Sequence, residues 1–453
     1  MLATQNLATQ NKVETSTQLT DRLYLARRQS DALFNLVHED SLYERPIPER
    51  HRIVFYIGHL EAFDWNLLGH RVFGLKATQP EFDRLFAFGI DPVGGGLPAD
   101  VPSDWPSLQH VRHYVNRSRA ALDGKLGGGI LDADLAACDG FPLRTLLHVA
   151  IEHRLMHLET LAYMLHQLPH DRKFPLAHPP ALSAPPVTHR MIQVPAGSVT
   201  LGLSRDSGDF GWDNEFSAHT VEVPAFAIDQ YKVTNREYLE FISAGGYQNR
   251  AFWADDDWQW KALQEVSHPK FWKQDGGQWL YRGMFDEVPL PLDWPVYVSY
   301  AEAQAFARWA HKSLPTEAQW QRAAYGIAGK DEIADDRRGA EEGSAPEARL
   351  GNFDFRSWNP IAVNAPLQAQ SAMGAYGMAG NGWEWTSTHF EPFPGFEPFP
   401  FYRGYSADFF DGKHFVLKGG SARTAGCMLR PSFRNWFQPH YQYVYAGFRC
   451  VSR

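Results

Sequence analysis

His153 and His157 stand four residues apart in the segment EHRLMHLE. On a helix, residues at that spacing share a face with their Cβ atoms about 5–6 Å apart, which suits two imidazoles converging on one metal ion. Glu159 lies six residues beyond His153, or about 240° around a helix of 3.6 residues per turn. It therefore sits off the histidine face and reads as a bracing residue rather than a ligand. A third ligand has to come from another helix, and His59 is the candidate. It follows Gly58, a residue that permits close approach, within the apolar run FYIGHLEAF. Three neutral imidazoles leave coordination positions open, as a catalytic metal requires and a closed structural site does not. Residue type and spacing alone leave Zn, Fe, Ni and Cu open.

The elements that must carry these histidines are helices. Residues 21–37 place Leu23, Ala26, Leu33, Phe34 and Val37 near 3.6-residue spacing, and 52–73 is strongly apolar and long. A helix over 107–122 has Ser107 as N-cap. Another, over 141–168, starts with Pro142 in its first turn and stays periodic to Pro169. Four such helices make an antiparallel bundle over 21–169. Residues 1–20 read as a disordered tail without the pattern of a secretory signal. Five prolines between 170 and 190 mark a linker. Beyond it the character changes, since all but Trp65 and Trp105 of the 15 tryptophans follow residue 188. Short strand-like runs (MIQVPAG, HTVEVPAFAID, VLKGG, YAGFRC) and two short helices, at 235–245 and 300–312, make 191–453 an irregular α+β domain.

Composition excludes several classes. With 21% charged residues, 44% hydrophobic residues and a net charge of −9, the chain is globular and has no electrostatic footprint for nucleic acid or an anionic membrane. No apolar run is long enough to span a bilayer. The three cysteines, Cys138, Cys427 and Cys450, are too scattered for a disulfide framework, which points to a cytoplasmic protein.

The second region also carries MIQVPAGSVTLG, WDNE (212–215), SLPTEAQWQRAAYG, GNGWEWT (380–386), LKGGSAR and AGFRC in this order. As a set these resemble the domain of formylglycine-generating enzymes and ergothioneine sulfoxide synthases, an irregular C-type-lectin-like α+β fold of the sulfatase-modifying-factor kind. Formylglycine-generating enzymes hold copper with two cysteines five apart after GGS. Here GGSARTAGCMLR offers only Cys427, so that route is closed. The helical region resembles the DinB-like iron domain of the sulfoxide synthases, with its helix-borne H-x3-H-x-E and an earlier histidine. The two domains together resemble EgtB-type and OvoA-type enzymes. That resemblance implies His59, His153 and His157 holding Fe(II), O2 as co-substrate, and joining of a thiol to the imidazole carbon of hercynine with oxidation of the sulfur.

The resemblance also assigns substrate residues. Asn435 and Trp436, in RPSFRNW (430–436), match the family segment that holds hercynine, and an indole face favours a quaternary ammonium by about 0.5–2 kcal/mol. Met156 replaces a glutamine of the mycobacterial type. Phe437 and Tyr441 replace an aspartate and a basic residue that read γ-glutamylcysteine, so free cysteine is the expected thiol. The family's catalytic tyrosine falls on Phe399, leaving Tyr402 and Tyr114 as candidate proton donors. Arg84 and Asp91 are candidates for the cysteine zwitterion. Asn381 and Glu384 match a structural Ca2+ site of related domains. The other readings are an OvoA-like enzyme acting on histidine, a selenoneine synthase-like enzyme, a zinc thiol transferase and a non-catalytic binding scaffold.

Overall fold

The computed structural model describes residues 14–87, 97–127, 136–176, 185–327 and 351–452. Its contacts divide the chain into two compact units, residues 1–34 with 49–154, and residues 35–48 with 155–453. Among the described residues no helix is long and apolar enough to cross a membrane.

The first unit is helical. Helix α1 (Ser16–Phe34) buries Leu19, Leu23, Ala26, Ser30 and Leu33 along one stripe. It begins inside the stretch expected to be a disordered tail because Thr15 and Gln18 form a capping box. The Thr15 amide donates to Gln18 Oε1 at 2.8 Å and the Gln18 amide to Thr15 Oγ1 at 3.3 Å. Helix α2 (Ile53–Asp64) is buried nearly all round and continues as a π-helical segment, Trp65–Val72. The run expected as one helix over 52–73 thus widens at Trp65. A Cβ on Gly69 would come within 2.9 Å of the Trp65 indole, so glycine makes room for the ring in the wider turn. Helix α3 (Pro80–Leu85) opens on proline. Helix α4 (Leu108–Leu126) is capped by Ser107, whose hydroxyl accepts from the His110 amide. After a hairpin of β1 (Ala136–Cys138) and β2 (Phe141–Pro142) comes α5 (Leu143–Gln167), the longest helix of the described residues.

Buried ion pairs lock these helices. Arg154, fully buried on α5, donates to Asp64 at 2.7 Å and to the Leu60 carbonyl at 3.0 Å, and pairs with Glu61 at 2.9 Å. Arg119 of α4 reaches Glu61 at 2.7 Å, and Arg27 of α1 lies 3.6 Å from Asp64. Charges this buried persist only when paired, so the network sets how α2 sits against α5 beside the metal-ligand candidates.

The second unit takes in the last turns of α5 from Leu155 onward. Its strands are β3 (Met191–Val194), β4 (Gly197–Leu201), β5 (His219–Val223), β6 (Phe226–Asp229), β7 (Trp272–Asp275), β8 (Gln278–Arg282), β9 (Glu287–Pro289), β10 (Trp383–His389), β11 (Phe415–Lys418), β12 (Asn435–Phe437), β13 (Ala446–Gly447) and β14 (Val451–Ser452). They form short sheets, of which β12-β11-β10-β13 is the largest. Helices α6 (Asn235–Ser243), α7 (Asp255–Leu263), α8 (Tyr300–Trp309) and α9 (Glu317–Tyr325) pack around them. The expected helices at 235–245 and 300–312 are α6 and α8, each opened by a capping box. One core gathers Val194, Val199, Val223, Phe226, Ile228 and Trp320.

Two arginines, Arg430 half-buried and Arg434 buried, tie the loops together. Arg430 grips Glu215 of WDNE with two bonds, at 2.5 and 2.8 Å, and Arg434 holds Glu317 at 3.0 Å. Both arginines belong to the segment that leads into β12, so the Arg430 fork and the bonds of Arg434 to Glu317 and the Asn214 and Glu391 carbonyls aim Asn435 and Trp436.

Candidate metal centre

The three histidines named from sequence converge. One ligand atom from each of His59, His153 and His157 lies within 4.8 Å of the others, and all three side chains are buried. No other group of three or more His, Cys, Asp or Glu among the described residues is so arranged. The Nδ1 atom of His59 is 2.7 Å from the Phe86 carbonyl. A carbonyl only accepts, so Nδ1 carries the proton and Nε2 keeps the lone pair a metal needs. Burial lowers the His59 pKa to about 4, so the ring is neutral at physiological pH. Its ring stacks on Phe55 at 4.9 Å, and that of His153 stacks on Phe63 at 3.5 Å.

Gly58 explains how Phe86 reaches His59. A Cβ at position 58 would lie 2.5 Å from three atoms of the Phe86 ring, so only glycine lets that ring settle on α2. Three neutral nitrogen donors with no carboxylate in the set fit a borderline divalent metal and do not fit Ca2+ or Mg2+.

Glu159 stays out of the metal set, as its angular position requires. It accepts from Trp383 Nε1 at 2.8 Å, Ser421 Oγ at 2.5 Å and Thr424 Oγ1 at 2.7 Å. Met156 accepts at Sδ, 3.4 Å away, from the hydroxyl of Tyr405. The Tyr405 ring stacks on Trp212 at 4.0 Å and meets Trp436 edge-on at 5.4 Å. Trp436 lies flat on Phe390 at 4.2 Å, and the Asn435 side chain accepts from the Trp436 amide at 2.9 Å. Phe437 and Tyr441 stack on each other at 5.1 Å, with Tyr163 of α5 edge-on at 6.1 Å. Aromatic surface thus stands where an aspartate and a base were the alternative.

The proton-donor candidates fare differently. Tyr114 is buried and its hydroxyl donates to Asp83 at 2.8 Å, and burial raises its pKa. Tyr402 is half-buried with its ring toward Trp212 and Tyr405. Sequence reasoning missed Tyr405, whose hydroxyl bonds the residue next to His157. Only its place in an aromatic run marked it. Phe399 is buried against Phe401. Arg84 is exposed on α3, and Asp91 lies outside the described residues.

The calcium expectation needs correcting, because Asn381 and Glu384 do not fit a cation site. Asn381 spends its side chain on the Ile361 backbone and on Asn352. Glu384 is paired with Arg449 at 2.8 Å and Lys232 at 3.0 Å. The Lys232 ammonium also donates to the carbonyls of Gly377 and Gly380. It is a built-in cation on the oxygens an ion would use.

Fold and site define a two-domain protein in which a histidine-bearing helical domain accompanies an irregular α+β domain. Residues 22–161 match the DinB superfamily, and residues 179–453 match the sulfatase-modifying factor enzyme 1-like domain. The chain belongs to this latter family, in its form with a DinB-type helical domain ahead of it. It is 34% identical to a hercynine oxygenase of Mycolicibacterium smegmatis over 96% of this chain and 98% of that one. A hercynine oxygenase of Mycobacterium tuberculosis is 39% identical over 55% of this chain and 58% of its own. The ergothioneine biosynthesis protein 1 of Neurospora crassa is 28% identical over 92% of this chain, which spans 55% of that longer protein.

Proposed function

We propose that the protein is an O2-dependent sulfoxide synthase of ergothioneine biosynthesis, joining cysteine sulfur to the imidazole of hercynine. The observation that carries this is the cluster of His59, His153 and His157 within 4.8 Å, in a chain related over nearly its whole length to a hercynine oxygenase. The metal proposed is Fe(II), which supplies open positions for a thiolate and O2 when bound. Overall, an imidazole C–H, a thiol S–H and O2 give a C–S bond, one sulfoxide oxygen and one water. Four electrons pass from the two substrates to O2, so no other reductant is needed.

The chain's own groups have distinct roles in this reading. His59, His153 and His157 bind the metal. The Trp436 face and the Asn435 side chain bind hercynine, with the indole toward the trimethylammonium group. Tyr405, whose partner Met156 is a weak acceptor, exchanges that bond for a substrate or oxygen atom and donates a proton there, in preference to Tyr402 and Tyr114. The uncharged pair Phe437–Tyr441 favours free cysteine over γ-glutamylcysteine, since it offers no counter-charge for a second carboxylate.

Anaerobic loading with Fe(II), then addition of hercynine, cysteine and air, tests this by product mass. A hercynyl-cysteine sulfoxide, lost in His59→Ala and His157→Ala, is the expected result. Product only with histidine would move the enzyme to the OvoA type, and a protein that binds no iron would refute the oxygenase reading.

A further inference from the structure

We infer that Glu159 is a positioning residue that fixes the metal-bearing helix against the sheet carrying the substrate strand. This rests on the function proposed above and deepens it. The carboxylate takes three bonds from one side of α5, at 2.8, 2.5 and 2.7 Å from Trp383, Ser421 and Thr424. His157 lies two residues earlier on the helix, about 200° around and about 3 Å along it. A helix held at Glu159 can neither rotate nor slide, so the direction of His157 is held with it.

The anchors lead directly to the substrate residues. Trp383 begins β10, and Ser421 follows the end of β11. Strand β10 pairs with β11 at Trp385 and Leu417, and β11 pairs with β12 at Leu417–Asn435 and Val416–Trp436. From β10, whose Trp383 holds Glu159, to β12 with Asn435 and Trp436 is two strand spacings, about 10 Å of hydrogen-bonded sheet.

The donors are preset for this task. Ser421 and Thr424 lie in a turn made by Gly419 and Gly420, at φ +95° and +92°. A Cβ on Gly419 would sit 2.6 Å from the Met378 carbonyl. Within the turn, the Ser421 amide donates to Thr424 Oγ1 at 2.8 Å and the Arg423 amide to Ser421 Oγ at 3.0 Å. Both hydroxyl oxygens are thus held as acceptors, and their protons go to Glu159.

Glu159→Ala, Glu159→Gln and the double variant Ser421→Ala/Thr424→Ala test the inference by three readouts: Fe(II) affinity by chelator competition, kcat and KM for hercynine, and hydrogen exchange of amides 155–165 in metal-free protein. In Glu159→Ala, kcat/KM falls 10–100-fold, and Fe(II) affinity falls less because His59 and His153 keep their places. Exchange over 155–165 rises about ten-fold or more, and exchange over 145–152 is unchanged. The double variant behaves alike. Glu159→Gln recovers to within about three-fold, because its carbonyl still accepts from Trp383 and Ser421 and its amide donates to Thr424. A core control, Val199→Ala, lowers thermal stability without changing kinetics. Wild-type kinetics and exchange in Glu159→Ala would overturn the inference, and so would a loss confined to iron binding. If the wild type makes no product, the functional reading fails while the exchange data still decide the clamp.

Discussion

Gly58→Ala puts the site's construction under the most specific strain. The new Cβ would fall 2.5 Å from Phe86 Cδ1, Cδ2 and Cγ, where ordinary contact starts at 3.4 Å. The Phe86 ring must retreat by about 1 Å, and because Cγ, next to the backbone-linked Cβ, is among the clashing atoms, the Phe86 backbone and its carbonyl shift with it. It has nowhere easy to go, being fully buried between Phe55, Phe82, Trp105 and Tyr114, with ring centroids 5.6–6.3 Å away. Overpacking of this kind costs about 1–3 kcal/mol. A 1 Å retreat stretches the 2.7 Å contact between His59 Nδ1 and the Phe86 carbonyl beyond hydrogen-bond range. Losing the partner of a metal-bound imidazole costs about 10–100-fold in metal affinity, roughly 1.4–2.7 kcal/mol. Anaerobic competition with a chromophoric Fe(II) chelator measures the affinity, and a melt of metal-free protein measures the packing. Gly124→Ala is the control, because nothing lies within 4 Å of its Cβ, and on helix α4 alanine is neutral or stabilising. Gly58→Ala with iron affinity within two-fold of wild type and an unshifted melt would refute the reasoning.

Arg154→Met should destabilise the protein by about 3–5 kcal/mol in urea denaturation, since it strips a cation from the buried Glu61 and Asp64. A loss under 1 kcal/mol would contradict this. His189 is held near pKa 9 by hydrogen bonds to Asp229 and Glu237, with Lys312 beside the same Asp229. Its folded pKa lies above the ordinary 6.5, so its contribution is complete below pH 6.5 and fades as pH rises to about 9. His189→Asn should flatten that slope in melts taken across the window. Added Ca2+ or EDTA should leave the metal-free melting temperature unchanged, because Lys232 already occupies the oxygens of Gly377, Gly380 and Glu384. A rise of several degrees with Ca2+ would reinstate a calcium site.

The histidine cluster was legible because most of its geometry is local. His153 and His157 are brought together by helix periodicity alone, and His59 was marked by the glycine before it. The long helices were legible for the same reason, as were α6 and α8, where an apolar stripe follows a capping residue. Helices α7 and α9 passed unread although their starts were encoded. Thr316 and Gln319 form a capping box, and three aspartates open α7. In both, polar side chains lie on the buried face, Asp257 in α7 and Glu317, Gln321 and Arg322 in α9, so no clean apolar stripe marks them. The capping box at Thr15 was likewise overlooked, so α1 starts earlier than its apolar pattern. What remained hidden was non-local. Tyr405 reaches Met156 from 249 residues away, and Lys232 reaches Glu384 across 152 positions. No spacing rule connects such pairs, since an irregular domain places them through turns and buried ion pairs.

The central claim is that the three-histidine centre directs O2 into the product. Turnover of Fe(II)-loaded protein with hercynine and cysteine under 18O2, read by product mass, tests it most directly. The account predicts one 18O per product and no product in His59→Ala. Product that forms without iron, or that takes its sulfoxide oxygen from water, would contradict it.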